Sequence, residues 1–347
     1  MKRFARWISL ALALCLLASC AAFAEETNER EKVSFLLLCN EGMRNDGDNV
    51  GNTLMLVTFD PETGYTRLLM FTWDTFINME GYDIPQLIDQ PYRVDGPEAT
   101  VKAFNENFNQ NIDLFLSVNY LNLATLIDTF GGVNVDITRA ERNALNGMVA
   151  SKKENVQAMA DMDLLDQMLV EGLAQAYYLD EWGEDTHLNG MQAVAFGWLQ
   201  YDSVYNCCLR EGQVISDLFN SVGETINKEM LFYTNDTDVP SFAEGRRVIN
   251  LDDPTEEDVE FLYEMVKPIF DKTYNNLTKE DIINISFTLG RAAYLASRQG
   301  VDVFKDVMTD ILPLEAQNPY DTIAGQQGHI IDFEANAAAI TEFLYGE

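Results

Sequence analysis

Between Val33 and Thr72 the chain carries three short apolar runs in quick succession, and this most limits its fold. Val33 to Leu38 is continuous rather than alternating, the pattern of a strand covered on both faces. Asn45 to Asn52 is rich in Gly, Asn and Asp and reads as a loop, and Thr53 to Phe59 reads as a second strand. Asp60-Pro61-Glu62-Thr63-Gly64 places Pro early and Gly last, the composition of a tight turn, so Thr66 to Thr72 returns as a third strand.

Helical signals alternate with further strands downstream. Gly96-Pro97 opens a helix through about Asn109, with Pro97 in the first turn where its missing N–H costs nothing. Ile112 to Val118 is a strand, Tyr120 to Phe130 a helix stopped by Gly131-Gly132, and Val133 to Ile137 an alternating strand. Residues 141–180 are helix-prone. Their stripe of Met159, Met162, Leu165, Met168, Leu169 and Leu173 reads as ordinary core. Further helices are expected from Met191, over 210–222, 257–272, 278–287 and 333–344, the fourth of these capped by Thr278. Residues 231–256 are polar and acidic and read as an irregular surface insertion. Strands mixed with long helices define an α/β domain: a mixed sheet between helical layers.

Composition removes several functions. The 347 residues include 56 acids against 23 Lys and Arg, a formal net charge of −33. A nucleic-acid partner is excluded, because affinity for a phosphate backbone needs clustered cations, and so is docking on an anionic membrane through a basic patch. With 47% hydrophobic and 11% aromatic residues, the chain is not a disordered polyanion.

The N-terminus reads as an export signal. Lys2, Arg3 and Arg6 precede an apolar run from Trp7 to Leu17, too short for a comfortable membrane span. Two cuts are open. Leu17-Ala18-Ser19-Cys20 is a lipobox that would leave Cys20 as a lipid anchor, and Ala22-Phe23-Ala24 is a site that would free the protein. Either cut gives an extracellular or cell-surface chain, and losing three basic residues takes the charge from −33 to −36.

Few catalytic motifs are present. Cys39, in an apolar run, reads as a buried thiol, adjacent Cys207 and Cys208 are poorly placed to bridge each other, and two histidines give little material for a nucleophile triad. Asp46-Gly47-Asp48-Asn49-Val50-Gly51 starts like a calcium loop but puts Val50 at an oxygen-ligand position and Val57 where the closing Glu belongs. Neither a phosphate-binding P-loop nor a nucleophile elbow occurs.

A set of phrases in fixed order is more informative. They are Asn52-Thr53-Leu54-Met55-Leu56-Val57 before the Asp60–Gly64 turn, Trp73-Asp74-Thr75, Tyr92 to Pro97, Leu126-Ile-Asp-Thr-Phe-Gly-Gly-Val-Asn-Val-Asp136 and Leu188-Asn189-Gly190-Met191-Gln192-Ala193. This resembles the LytR-CpsA-Psr family of bacterial envelope proteins over about residues 33–347. The resemblance implies a signal over 1–24, a linker over 25–32, and one domain over 33–347 with a helical insertion about 141–186 and a polar one about 231–256. It implies a polyprenyl-pyrophosphate-linked glycan as ligand, a cell-wall polymer as acceptor, magnesium as cofactor, and phosphoryl transfer as chemistry. Such chemistry needs guanidinium groups on the pyrophosphate and carboxylates on the metal, beside a long apolar groove for the lipid.

Carried over residue by residue, the resemblance leaves a reduced site. The family's R-x-D-T is Val50-Gly51-Asn52-Thr53, so arginine is replaced by Val50 and aspartate by Asn52. Its R-D-T is Trp73-Asp74-Thr75; its aromatic-x-R-x-R is Phe196-Gly197-Trp198-Leu199-Gln200; and in the later R-x-x-R, Cys207 replaces the first arginine and Arg210 keeps the second. The implied catalytic residues are Asp74 and Arg210. Asp74 and Asn52 are the implied metal ligands, with Asn52, Trp73, Trp198, Arg44 and Asp202 around the ligand. From Glu154 to Leu209 there are ten acids and no Lys or Arg, where the family places much of its arginine cluster. Two readings follow. One is a binding protein, degenerate at the pyrophosphate site, that takes a lipid, glycan or protein partner. The other is a magnesium-dependent phosphotransferase working with Asp74, Asn52 and Arg210.

Overall fold

The computed structural model describes residues 30–40, 51–161, 178–237, 245–299, 309–313 and 320–345. The chain divides into residues 1–31, almost wholly outside the described residues, and a unit from Lys32 to Glu347. The expected signal and both its cuts, the Asp46 loop and the stripe over 162–173 also lie outside the described residues.

The first three strands form where the apolar runs place them: β1 Val33–Asn40, β2 Gly51–Phe59 and β3 Thr66–Phe71. The turn between β2 and β3 is closed by Asp60, whose carboxylate accepts from the Glu62 and Thr63 backbones. A 3-residue strand β4 (Thr75–Ile77) and a 2-residue β5 (Gln86–Leu87) follow. Helix α1 spans Gln90–Phe108 and is broken at Asp95 and Gly96, so Pro97 does open a helical segment, but a first segment precedes it.

Strand β6 (Leu114–Asn119) leads into α2 (Tyr120–Thr129), capped by the Asn119 side chain, then β7 (Val133–Ile137) and α3 (Arg139–Asp161). Next come β8 (Gly183–Leu188), α4 (Gly190–Gly197) and α5 (Val204–Glu229). The expected irregular insertion over 231–256 is corrected by the structure. Strands β9 (Met230–Tyr233) and β10 (Arg247–Asn250) pair in parallel there, with Met230, Phe232 and Ile249 facing the core. The remaining elements are α6 (Glu256–Phe270), β11 (Tyr274–Asn275), α7 (Lys279–Gln299), β12 (Thr309–Leu312), β13 (Tyr320–Ile323), β14 (Gln326–Ile330) and α8 (Phe333–Tyr345).

The central sheet has six strands in the order β11-β6-β1-β2-β3-β12, with β1/β6 and β3/β12 parallel and the others antiparallel. Side-chain alternation sends Phe35, Leu37, Met55, Val57, Leu68 and Met70 to one face, against α2, α4, α5, α6 and α7. Leu36, Leu38, Leu54, Leu56, Leu69 and Phe71 go to the other, against Phe104 and Phe108 of α1 and Ile340 and Phe343 of α8. Each such buried side chain contributes roughly 1.5–3 kcal/mol of transfer free energy. Coverage on both faces explains the unbroken apolar run of β1. The result is the expected three-layer α/β domain.

The recognisable phrases pack against one another. Asn189 and Gln192 form a reciprocal capping box at the start of α4. The Gly190 amide donates to the Asp128 carboxylate of α2 at 2.7 Å, and a Cβ on Gly190 would overlap the Ala124 carbonyl. Gly132, at φ +92°, has its own Cβ position filled by His187 and the Leu188 carbonyl of β8. Both glycines are therefore demanded by close approach of α2 to α4 and β8.

Candidate functional site

The residues implied as a site gather at one end of the central sheet, where β2 begins, β3 ends and α5 passes. Arg210 lies in the second turn of α5 and is nearly fully buried, its side chain only 3% exposed. Its Nη1 and Nη2 reach the two Asp202 carboxylate oxygens at 3.1 and 2.8 Å, and Nη1 also reaches Glu141 at 3.3 Å. Nη2 further donates to the Leu199 carbonyl, and the guanidinium lies 5.2 Å from the centre of the Tyr201 ring. The structure therefore brings Arg210 and Asp202 together as a bidentate pair. Burial lowers the Arg210 pKa, but the bond to Asp202 and the neighbouring carboxylates outweigh it and the net shift is upward. The bond to Arg210 holds Asp202 below the usual carboxylate range. One cation facing two carboxylates leaves the trio with a charge of −1, so Arg210 offers little to an incoming dianion.

Trp198 caps the C-terminus of α4 and donates from Nε1 to Thr53 Oγ1 at 3.3 Å; Thr53 in turn donates to Glu211 Oε1 at 2.8 Å. Glu211 is a site residue the sequence reading missed. It is 8% exposed, and burial pushes its carboxyl up to about 8 against the hydrogen bond from Thr53, Arg210 and Trp198. Glu211 is thus a neutral acid at pH 7. The available signal was its place on an apolar stripe with Val214, Ile215, Leu218 and Val222. The three thiols are free and buried, as expected for Cys39. Desolvation raises all three pKa values, that of Cys207 to about 12, so they are un-ionised.

Asp74 follows β3 and is also buried, but its neighbours differ. The hydroxyl of Tyr320 on β13 hydrogen-bonds its carboxylate, and its backbone carbonyl accepts from His329 of β14 at 2.7 Å. Burial, then the Asp74 charge, raises the Tyr320 pKa. The ion pairs of Arg210 run to Asp202 and Glu141, not to Asp74. Asp74 Oδ1, Trp73 Nε1 and Arg210 Nε are buried without hydrogen-bond partners, a concentration of unmet polar atoms at one end of the sheet. Trp73 lines a small pocket with Thr53, Asp89 and Tyr92 on the α1 side. Arg44 lies outside the described residues, and only the backbone of Asn52 is described, in β2.

The described donors fit magnesium poorly. A hard divalent cation needs anionic or carbonyl oxygens. Among the described side chains one Asp74 oxygen is unengaged, the Asp202 and Glu141 carboxylates are taken up by Arg210, and the other nearby groups include thiols and indoles. Among the described residues no group of three or more His, Cys, Asp or Glu could hold a metal.

Beside this region, on the same sheet face, lies an apolar cavity. Phe35, Leu37 and Phe59 form its floor, and α2, α5, α6 and α7 its walls.

A mixed sheet between helical layers carries a buried polar cluster at its end and an apolar cavity beside it. Residues 18–220 match the LytR_cpsA_psr family, and this chain belongs to it. The polyisoprenyl-teichoic acid–peptidoglycan teichoic acid transferase TagU of Bacillus subtilis is 27% identical over 117 residues, 33% of this chain and 38% of that protein. TagU of Oceanobacillus iheyensis is 30% identical over 119 residues, 32% of this chain and 36% of that protein. The match thus spans little more than a third of the length of these relatives. In structure, Bacillus subtilis TagV superposes with a TM-score of 0.56 at 14% identity, covering 92% of this chain and 98% of TagV. TagT bound to LIIa-WTA gives 0.54 at 13% identity, covering 91% and 92%. A Streptococcus agalactiae protein, gbs0355, gives 0.57 at 16% identity, covering 90% and 88%. These likenesses establish the fold.

Proposed function

We propose that this protein is an exported, cell-surface member of its family that serves envelope glycopolymer assembly by binding a lipid, a lipid-linked glycan or a protein partner, without transferring phosphate. The observation that carries this reading is the state of Arg210. It is the arginine matching the family pattern within the described residues, and it is tied to Asp202 and Glu141. The matching positions Trp73 and Trp198 are indoles and Cys207 is a thiol. Each charge-assisted hydrogen bond lost from a pyrophosphate clamp removes about 1.5–3 kcal/mol. Export rests on the leader-like residues 1–24, with attachment through Cys20 if the lipobox is used.

The second reading is a magnesium-dependent transferase moving a glycopolymer from a polyprenyl-pyrophosphate carrier to the cell wall. The unpartnered Asp74 Oδ1 favours it, being a free carboxylate oxygen where the resemblance implies a metal ligand. Incubation of the purified protein with magnesium and a polyprenyl-pyrophosphate-linked glycan separates the two. The binding reading expects no released lipid phosphate and no difference in Asp74→Ala. Turnover that disappears in Asp74→Ala would overturn it.

A further inference from the structure

The polar end of the apolar cavity is built for an uncharged group. Along β1, Phe35 and Leu37 line the cavity, and Cys39, the next residue on the same face, lines a smaller pocket beyond it. Along β2, Phe59 lines the cavity, and Met55 and Thr53 line that pocket. Along α5, Val222, Leu218 and Ile215 lead down the cavity to Glu211 in the pocket. Leu123 and Ile215 belong to both walls. The cavity thus adjoins a pocket whose polar groups are the Glu211 carboxyl, the Thr53 hydroxyl and the Trp198 N–H. The cation beside them, Arg210, is held by Asp202 and Glu141. The other ionisable groups acting on this end are the thiols Cys39, Cys207 and Cys208, and the carboxylate of Asp74, which acts on Cys208.

We propose that Glu211 is the head-group-selecting residue of this cavity, admitting an uncharged, hydroxyl-headed lipid of the isoprenoid-alcohol class and rejecting the corresponding diphosphate. This rests on the binding reading above and names its ligand. An alcohol oxygen can both donate and accept, so it can join the Thr53–Glu211 hydrogen bond without bringing charge into an apolar site. A diphosphate would carry two or more charges to a place where the cation among the described residues, Arg210, is already paired and carboxylates stand nearby, a desolvation cost without compensation.

The test is equilibrium binding of farnesol and of farnesyl diphosphate to the full mature chain, at pH 6.5 in the presence of magnesium. Farnesol is expected to bind at least tenfold more tightly than the diphosphate, about 1.4 kcal/mol. Glu211→Gln, neutral and the same size, keeps that preference, whereas Glu211→Leu weakens farnesol about tenfold. Leu218→Trp, which fills the cavity away from the polar end, abolishes farnesol binding. Diphosphate binding as tight as farnesol, no binding of farnesol, or farnesol affinity unchanged in both Glu211→Leu and Leu218→Trp overturns the proposal. If the diphosphate wins but no transfer occurs, this inference fails while the binding reading stands. If the protein turns over the lipid-linked glycan, both fail.

Discussion

The junction of α2, α4, β7 and β8 and the polar cluster at the head of α5 are neighbours within one fold, and they are built on opposite principles. The junction is held by backbone: Gly132 and Gly190 let main chains approach, Asn189 and Gln192 cap a helix, and Asp128 ties the α4 start to α2. The cluster is held by side chains that satisfy one another: Asp202 and Glu141 on Arg210, Thr53 on Glu211, and Trp198 on Thr53. Two of the phrases that carry the family resemblance, Leu126–Asp136 and Leu188–Ala193, belong to the junction. The family pattern can therefore persist as a fold while the chemistry at the sheet's end changes independently.

The sharpest way to break this contrast is a single methyl group. Gly190→Ala must push α4 from α2, because the new Cβ would overlap backbone rather than a side chain that can swing away. A loss of about 3 kcal/mol or more in urea unfolding is expected, and a loss below 1 kcal/mol would show the junction to be adaptable. At the cluster, Asp202→Ala leaves a buried guanidinium with Glu141 as its remaining carboxylate and should cost about 2–3 kcal/mol by the same measurement.

Glu211 gives a pH signature. Its folded pKa of about 8 lies above the unfolded carboxylate value, so the folded state holds a proton that the unfolded state has lost. Its contribution is fully present below the unfolded pKa and declines as pH rises towards 8. Glu211→Gln should therefore gain stability relative to the parent by roughly 1.4 kcal/mol per pH unit between pH 5 and 7. A constant difference across that range would mean that Glu211 is ionised in the folded protein. The smallest effect is expected for Trp198→Phe, which removes one donor to Thr53 and costs about 1 kcal/mol by thermal melting.

Legibility divides along the same line. Apolar runs placed β1 to β3, the Gly131-Gly132 stop placed the end of α2, and the expected start of α4 and the bounds of α8 fell within a residue or two. Other elements were shorter in the reading than in the protein. Helix α5 begins at Val204 rather than 210, because Asn206-Cys207-Cys208 carries no helical period, and its start is set by the Ser203 cap. Strands β4, β5 and β11, with two or three residues each, have too little length to show alternation. At the site, the pairing of Asp202 with Arg210 was readable. Glu211 and Tyr320 were not, since a lone Glu on a helix and a Tyr far along the chain look ordinary until the fold brings them to Thr53 and Asp74.

The claim that the pyrophosphate clamp is spent on internal pairing is tested most directly by calorimetric titration with inorganic pyrophosphate and magnesium. The account predicts no saturable binding at micromolar concentrations in the parent protein. Micromolar binding that vanishes in Arg210→Gln and in Asp74→Ala would contradict it, because the guanidinium would then have left Asp202 for the ligand.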